Sequence, residues 1–124
     1  IQIAHNFNRV IYTHHFLAAT LQEKNKKTTN GSIQRKEYVG SLLKEQLSPL
    51  AVYRQFNDGN SLLFFKYYKE YFGTLHTVVY FPKDLSVIIG VGENCEPVLF
   101  SFKEFLEGKV ILPNVIKGLI NMQV

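Results

Sequence analysis

Two strand-like runs, Thr74 to Phe81 and Leu85 to Val91, joined by Pro82-Lys83-Asp84, constrain this chain more than anything else in it. Turn residues between two β-branched and aromatic runs predict a tight antiparallel hairpin. Alternation places Leu75, Thr77, Val79 and Phe81 on one face of the first strand and His76, Val78 and Tyr80 on the other. Both sets are mostly apolar. A hairpin apolar on both faces needs a layer above and a layer below, which is a sandwich context rather than an open sheet.

The rest of the chain supplies the helices for those layers. Val39, Leu42, Leu43 and Leu47 fall at helical spacing, with Lys36, Glu37, Lys44 and Glu45 off the stripe. This predicts a helix from about Ile33 to Gln46, with Ser32 as N-cap after an Asn30-Gly31 turn. Ser48-Pro49 predicts a second, short helix running to about Phe56, stopped by Asn57-Asp58-Gly59-Asn60. Val98-Leu99-Phe100 is a short apolar piece, after which Ser101-Phe102-Lys103-Glu104 is a capping box opening a helix that Gly108 closes. Ser61 to Phe72 suits a helix by the spacing of Leu62, Phe65, Tyr68 and Phe72, and strands by its aromatics; the pattern leaves both open. The expected fold is a single α+β domain over 1–124, an antiparallel sheet with helices on one face.

Composition narrows the partners. Hydrophobic residues make up 46% and charged residues 19% of 124, so the chain is globular and long enough for a core. The net charge is only +4, and Lys24, Lys26 and Lys27 sit in a Thr/Asn/Gly loop without interleaved aromatics, so no nucleic-acid partner is expected. The single cysteine, Cys95, excludes a disulfide framework and a Cys-based zinc cluster. No apolar run reaches the ~18 residues of a membrane span and no signal-peptide pattern is visible, so the expected location is cytoplasmic. The chain begins at Ile1 rather than Met, which reads as a processed product or a piece of something longer.

Three residues are the candidates for chemistry beside the lone thiol: His14, His15 and Arg35. The apolar run Val10 to Tyr12 delivers His14 and His15 to its end. Adjacent residues on an extended chain face opposite ways, so the two imidazoles cannot jointly ligate one metal, and neither metal nor cofactor is expected. Ser32 and Arg35 open the first helix. A cation in a first turn opposes the helix dipole at a cost of a few tenths of a kcal/mol, so Arg35 is either accidental or serves a carboxylate or a substrate carbonyl. Cys95 is flanked by Glu93 and Glu96, whose charges disfavour a thiolate; it reads as a partly exposed bystander. Gly90-Val91-Gly92 follows a strand but lacks the third glycine of a dinucleotide fingerprint.

In order along the chain, Thr13-His14-His15-Phe16, Ser32-Ile33-Gln34-Arg35, Leu47-Ser48-Pro49 and Thr74 to Pro82 with its glycine-containing end resemble the motifs of one family. They are similar to the T-N-H-F, S-x-x-R, second-helix and T-L-x-S-V-V-Y-x-P segments of the N-terminal-nucleophile hydrolases of the choloylglycine hydrolase and penicillin acyltransferase type. The resemblance covers roughly Arg9 to Phe102. It implies an αββα sandwich in which an N-terminal Cys is the nucleophile and its own α-amine the base, cleaving or transferring a linear amide. By position it implies catalytic roles for His14 and Arg35, and places His15 and Ser32 on the substrate side.

Two departures matter. His14 stands where the family has asparagine, and an imidazole cannot copy an amide. Ile1 offers no thiol or hydroxyl, so the family's nucleophile is absent from these residues. The chain is therefore expected to be the C-terminal half of such an amidase or acyltransferase, inactive alone. It would act on an amide substrate or acyl donor once the missing half is present. The alternative is a non-catalytic binding or oligomerisation module derived from that fold. Either way the half-sandwich implies an exposed sheet face covered by a second copy or a partner subunit.

Overall fold

The computed structural model describes residues 19–21 and 31–122. It divides into two compact units, Ile1–Gln46 and Leu47–Val124.

In the first unit the main described element is α1, Ser32–Leu42. Its N-cap is Gly31, in the left-handed region at φ 74°, so the expected N-cap Ser32 is instead the first helical residue. A serine cap needs extended backbone, and the left-handed turn that glycine permits has already delivered the chain into helical geometry one residue earlier. The helix also stops at Leu42, short of Gln46. The Ser41 hydroxyl donates to the Tyr38 carbonyl at 2.6 Å, and Lys44 and Glu45 donate to carbonyls three residues back, at 3.1 Å each. Hydroxyl competition and a tightened last turn end α1 here.

The second unit opens with α2, Pro49–Asn57. Its boundaries follow the expected signals: extended Ser48 accepts from Ala51 N–H at 3.2 Å, and Pro49 holds the first helical position. The undecided stretch 61–72 forms neither a full helix nor a full strand. It is a tight antiparallel pair, β1 (Lys66–Tyr67) and β2 (Phe72–Gly73), around a single 3-10 turn at Tyr68–Glu70. The helical stripe fails because Leu62 and Phe72 are 58% and 57% exposed, whereas Tyr68 is buried and donates to the Thr74 carbonyl at 2.6 Å. Tyr71, in a left-handed conformation at φ 56°, projects fully into solvent.

The hairpin is present as expected, with slightly shorter strands. β3 (His76–Phe81) and β4 (Ser86–Val91) pair antiparallel from His76↔Val91 to Phe81↔Ser86. β5 (Val98–Ser101) adds to β4, giving a three-stranded sheet in the order β3-β4-β5. α3 (Phe102–Leu106) follows at once, with Ser101 Oγ accepting from Glu104 N–H at 3.2 Å. The protein is of the α+β class, with antiparallel sheets and three helices among the described residues.

Layering explains the buried residues. α2 packs on β3 and β4, against the face that carries Thr77, Gly90 and Ile88. Tyr53, Phe64, Tyr68, Val87 and Ile88 form the apolar core. The opposite sheet face is less complete than its apolar pattern predicted: Val87 is buried, but its cross-strand neighbour Tyr80 is 70% exposed. The tail crosses the end of β4 through a parallel bridge between Gly92 and Leu119.

Candidate functional site

The first turn of α1 brings together two of the four residues expected to carry chemistry. Ser32 is 1% exposed, and its Oγ is a buried atom with no hydrogen-bond partner. Arg35 is half-buried, and its amide donates to the Gly31 carbonyl at 2.9 Å. Its guanidinium folds back along its own helix: a Cβ at Gly31 would lie 3.2 Å from Nη1. The first turn holds no acidic residue, and its N-cap, Gly31, has no side chain to accept from it. A buried hydroxyl and a half-buried guanidinium thus both belong to the first turn of α1, at the positive end of its dipole. His14 and His15 lie outside the described residues.

A second cluster in the other unit escaped the sequence reading, which took Asn57 only as a helix stop and Cys95 as a bystander. Asn57 is 2% exposed at the last position of α2. Its Nδ2 donates to Gly92 O at 2.7 Å and to Thr77 Oγ1 at 3.2 Å, while its Oδ1 accepts from Cys95 N–H at 2.8 Å. Its own carbonyl accepts from Asn94 N–H at 2.8 Å. One side chain thus fastens helix, strand and loop. A turn-forming asparagine and a buried clamp carry the same letter, so no signal in the sequence separates them.

Cys95 is held on its other side by Tyr53. The Tyr53 hydroxyl lies 3.2 Å from the Cys95 carbonyl and 3.1 Å from Sγ. The Cys95 thiol also donates to the Gly92 carbonyl, with Sγ 3.7 Å away, so one phenol proton and one thiol proton are shared among these contacts. Burial, then the bond to Cys95, push the Tyr53 phenol well above its ordinary value of 10.0, so it stays protonated and cannot act as a base at neutral pH. Room for both atoms comes from Gly90, where any Cβ would collide with Tyr53 Oη and Cys95 Sγ. The glycine pair that looks like a truncated nucleotide motif is therefore a packing device. Among the described residues no group of His, Cys, Asp and Glu side chains is placed to hold a metal ion.

The profile of the acyl-coenzyme A:6-aminopenicillanic acid acyl-transferase family matches residues 1–96. The chain belongs to that family. Its motifs thus carry the N-terminal-nucleophile resemblance read from Thr13, Ser32, Leu47 and Thr74 onward. No curated protein and no solved structure matches the chain.

The acyl-transferase match takes in α1, α2, the β3–β4 hairpin and Cys95, and ends before β5 and α3. The two clusters therefore both lie within the family region. The helix-start pair holds a buried hydroxyl without a partner and a half-buried guanidinium, and the Tyr53–Asn57–Cys95 cluster has the closed hydrogen bonding of a structural one.

Proposed function

We propose that this chain forms part of an N-terminal-nucleophile enzyme that hydrolyses a linear amide C–N bond or transfers its acyl group to another acceptor. Family membership over residues 1–96 is the observation that carries the reading. Arg35 orients the nucleophile or the substrate carbonyl, and His14 stands in for the family's asparagine. Ser32 and His15 line the substrate side.

The nucleophile is a cysteine outside these 124 residues, with its own α-amine as base. The commitment of Cys95 to Tyr53 and Asn57 supports this, because the chain's single thiol already serves the fold. The amine takes the thiol proton, sulfur bonds to the amide carbon, and the C–N bond breaks as the proton passes to the leaving amine. Water or a second amine then releases the acyl group.

The test is to express the complete reading frame that contains this chain and assay amine release from a panel of N-acyl amides. Arg35→Ala is expected to lower kcat/KM by about 10²-fold, as for the loss of one charged transition-state donor, while Cys95→Ser leaves turnover unchanged. Loss of turnover in Cys95→Ser with full activity in Arg35→Ala would reverse the assignment. An ordinary start codon directly before Ile1 would remove the separate nucleophile altogether.

A further inference from the structure

We propose that residues 109–122 form a C-terminal latch: docked on the end of β4 they keep the loop around Cys95 closed, and undocked they let that loop open and expose the thiol. The latch lies beyond the family match over residues 1–96 and does not depend on the acyl-transfer reading.

The latch closes backbone against backbone. Leu119 forms a parallel bridge to Gly92, just past the end of β4. Two glycines make room for it: a Cβ on Gly118 would collide with the Val91 carbonyl, and a Cβ on Gly92 with the Leu119 carbonyl. Gly92 also stands in the left-handed region at φ 84°, whereas Gly118 does not, so only the close approach bars a side chain at Gly118. The Leu119 side chain points away from the contact and is 78% exposed.

Gly92 is the joint between latch and loop. Its N–H donates to the Leu75 carbonyl at 2.9 Å, and its own carbonyl accepts from Asn57 Nδ2 at 2.7 Å and from the Cys95 thiol at 3.7 Å. The residue on which the tail sits is thus the one that holds the asparagine clamp and the sulfur. Cys95 also lines a cleft of about 290 Å³ with Asn57, Asp58, Asn94 and Glu96, so a sulfur released from Gly92 has an open route to solvent. The tail is the weaker partner in this contact. No helix or strand follows α3 among the described residues, and Ile111, Val115 and Met122 are all exposed. A segment that buries so little apolar surface opens at lower free energy than the sheet beneath it, where Val87 and Ile88 are buried.

The test compares the full 124-residue chain with its Gly118→Ala and Leu119→Ala variants. Two rates are read: reaction of Cys95, the single thiol, with an aromatic disulfide reagent, and amide hydrogen exchange. Where there is space, glycine to alanine is neutral or stabilising, because it narrows the unfolded ensemble. At Gly118 the added methyl must instead push the tail off Val91. Gly118→Ala is therefore expected to speed the thiol reaction about tenfold and to raise exchange at the Asn94 and Cys95 amides, with Val87, Ile88 and Ile89 still protected. Leu119→Ala removes an exposed side chain, keeps the bridge, and should leave both rates at the parent values. Unchanged thiol reactivity in Gly118→Ala, or equal acceleration in Leu119→Ala, would overturn the proposal. So would loss of protection along β4 in step with Cys95, which would make the tail part of the cooperative core rather than a latch.

Discussion

At the scale of single residues, Asn57 does the most with the least. It is the C-terminal residue of α2, and its amide reaches β3 through Thr77, the end of β4 through Gly92, and the following loop through Cys95. All of its side-chain capacity but one acceptor lone pair is used inside the protein. Truncation would leave a buried N–H and a buried carbonyl unpaired, each costing roughly 1–3 kcal/mol. Asn57→Ala should therefore lower the unfolding free energy by about 3 kcal/mol or more, read from the urea midpoint. A loss below about 1 kcal/mol would mean that water replaces the amide and that packing alone seats α2. The same accounting separates Ser32 from Asn57: both are buried, but Asn57 is fully partnered and Ser32 Oγ is not.

At the scale of elements, the three helices differ in how they begin. α2 and α3 open on serines whose hydroxyls accept from the backbone three residues on; α1 opens on a glycine that accepts nothing through a side chain. The consequence of losing a cap depends on what the helix is packed against. α2 lies on β3 and β4 and contributes Tyr53 and Asn57 to the core, so its first turn is coupled to global unfolding. α3 is five residues long with no buried side chain. Ser48→Ala should cost about 1 kcal/mol of global stability. Ser101→Ala should instead raise amide exchange within α3 and leave the global transition nearly unmoved. Calorimetry and hydrogen exchange on the two variants separate these outcomes; equal drops in both global transitions would show α3 to be part of the cooperative unit.

At the scale of the whole molecule, two core tyrosines set the alkaline limit of stability. Burial holds the phenols of Tyr53 and Tyr68 above their ordinary value of 10.0, helped by Cys95 for the first and the charge of Glu93 for the second. Below pH 10.0 both folded and unfolded chains carry these protons. Above it the unfolded chain releases them while the folded chain retains them, so the stability they contribute is lost as pH rises. Thermal midpoints should accordingly fall above pH 10.0, and Tyr53→Phe should flatten that fall while lowering the neutral-pH midpoint. A profile as steep in Tyr53→Phe as in the parent would assign the effect to Tyr68 and the other ionising groups.

The sequence by itself determined what depends on neighbours in the chain. Ser48-Pro49 and Ser101-x-x-Glu104 started helices where they stand, because a cap and its amide lie three residues apart. Alternation and Pro82-Lys83-Asp84 placed the hairpin to within a residue or two. Short motifs in order indicated the family that the profile over residues 1–96 establishes. Tertiary structure alone decided what depends on partners distant in the chain. The stretch 61–72 folds around the buried Tyr68, and Asn57 and Cys95 meet across 38 residues. Capping and alternation are local energies written within one turn or one strand, whereas a buried amide acquires its role only when the sheet closes over it.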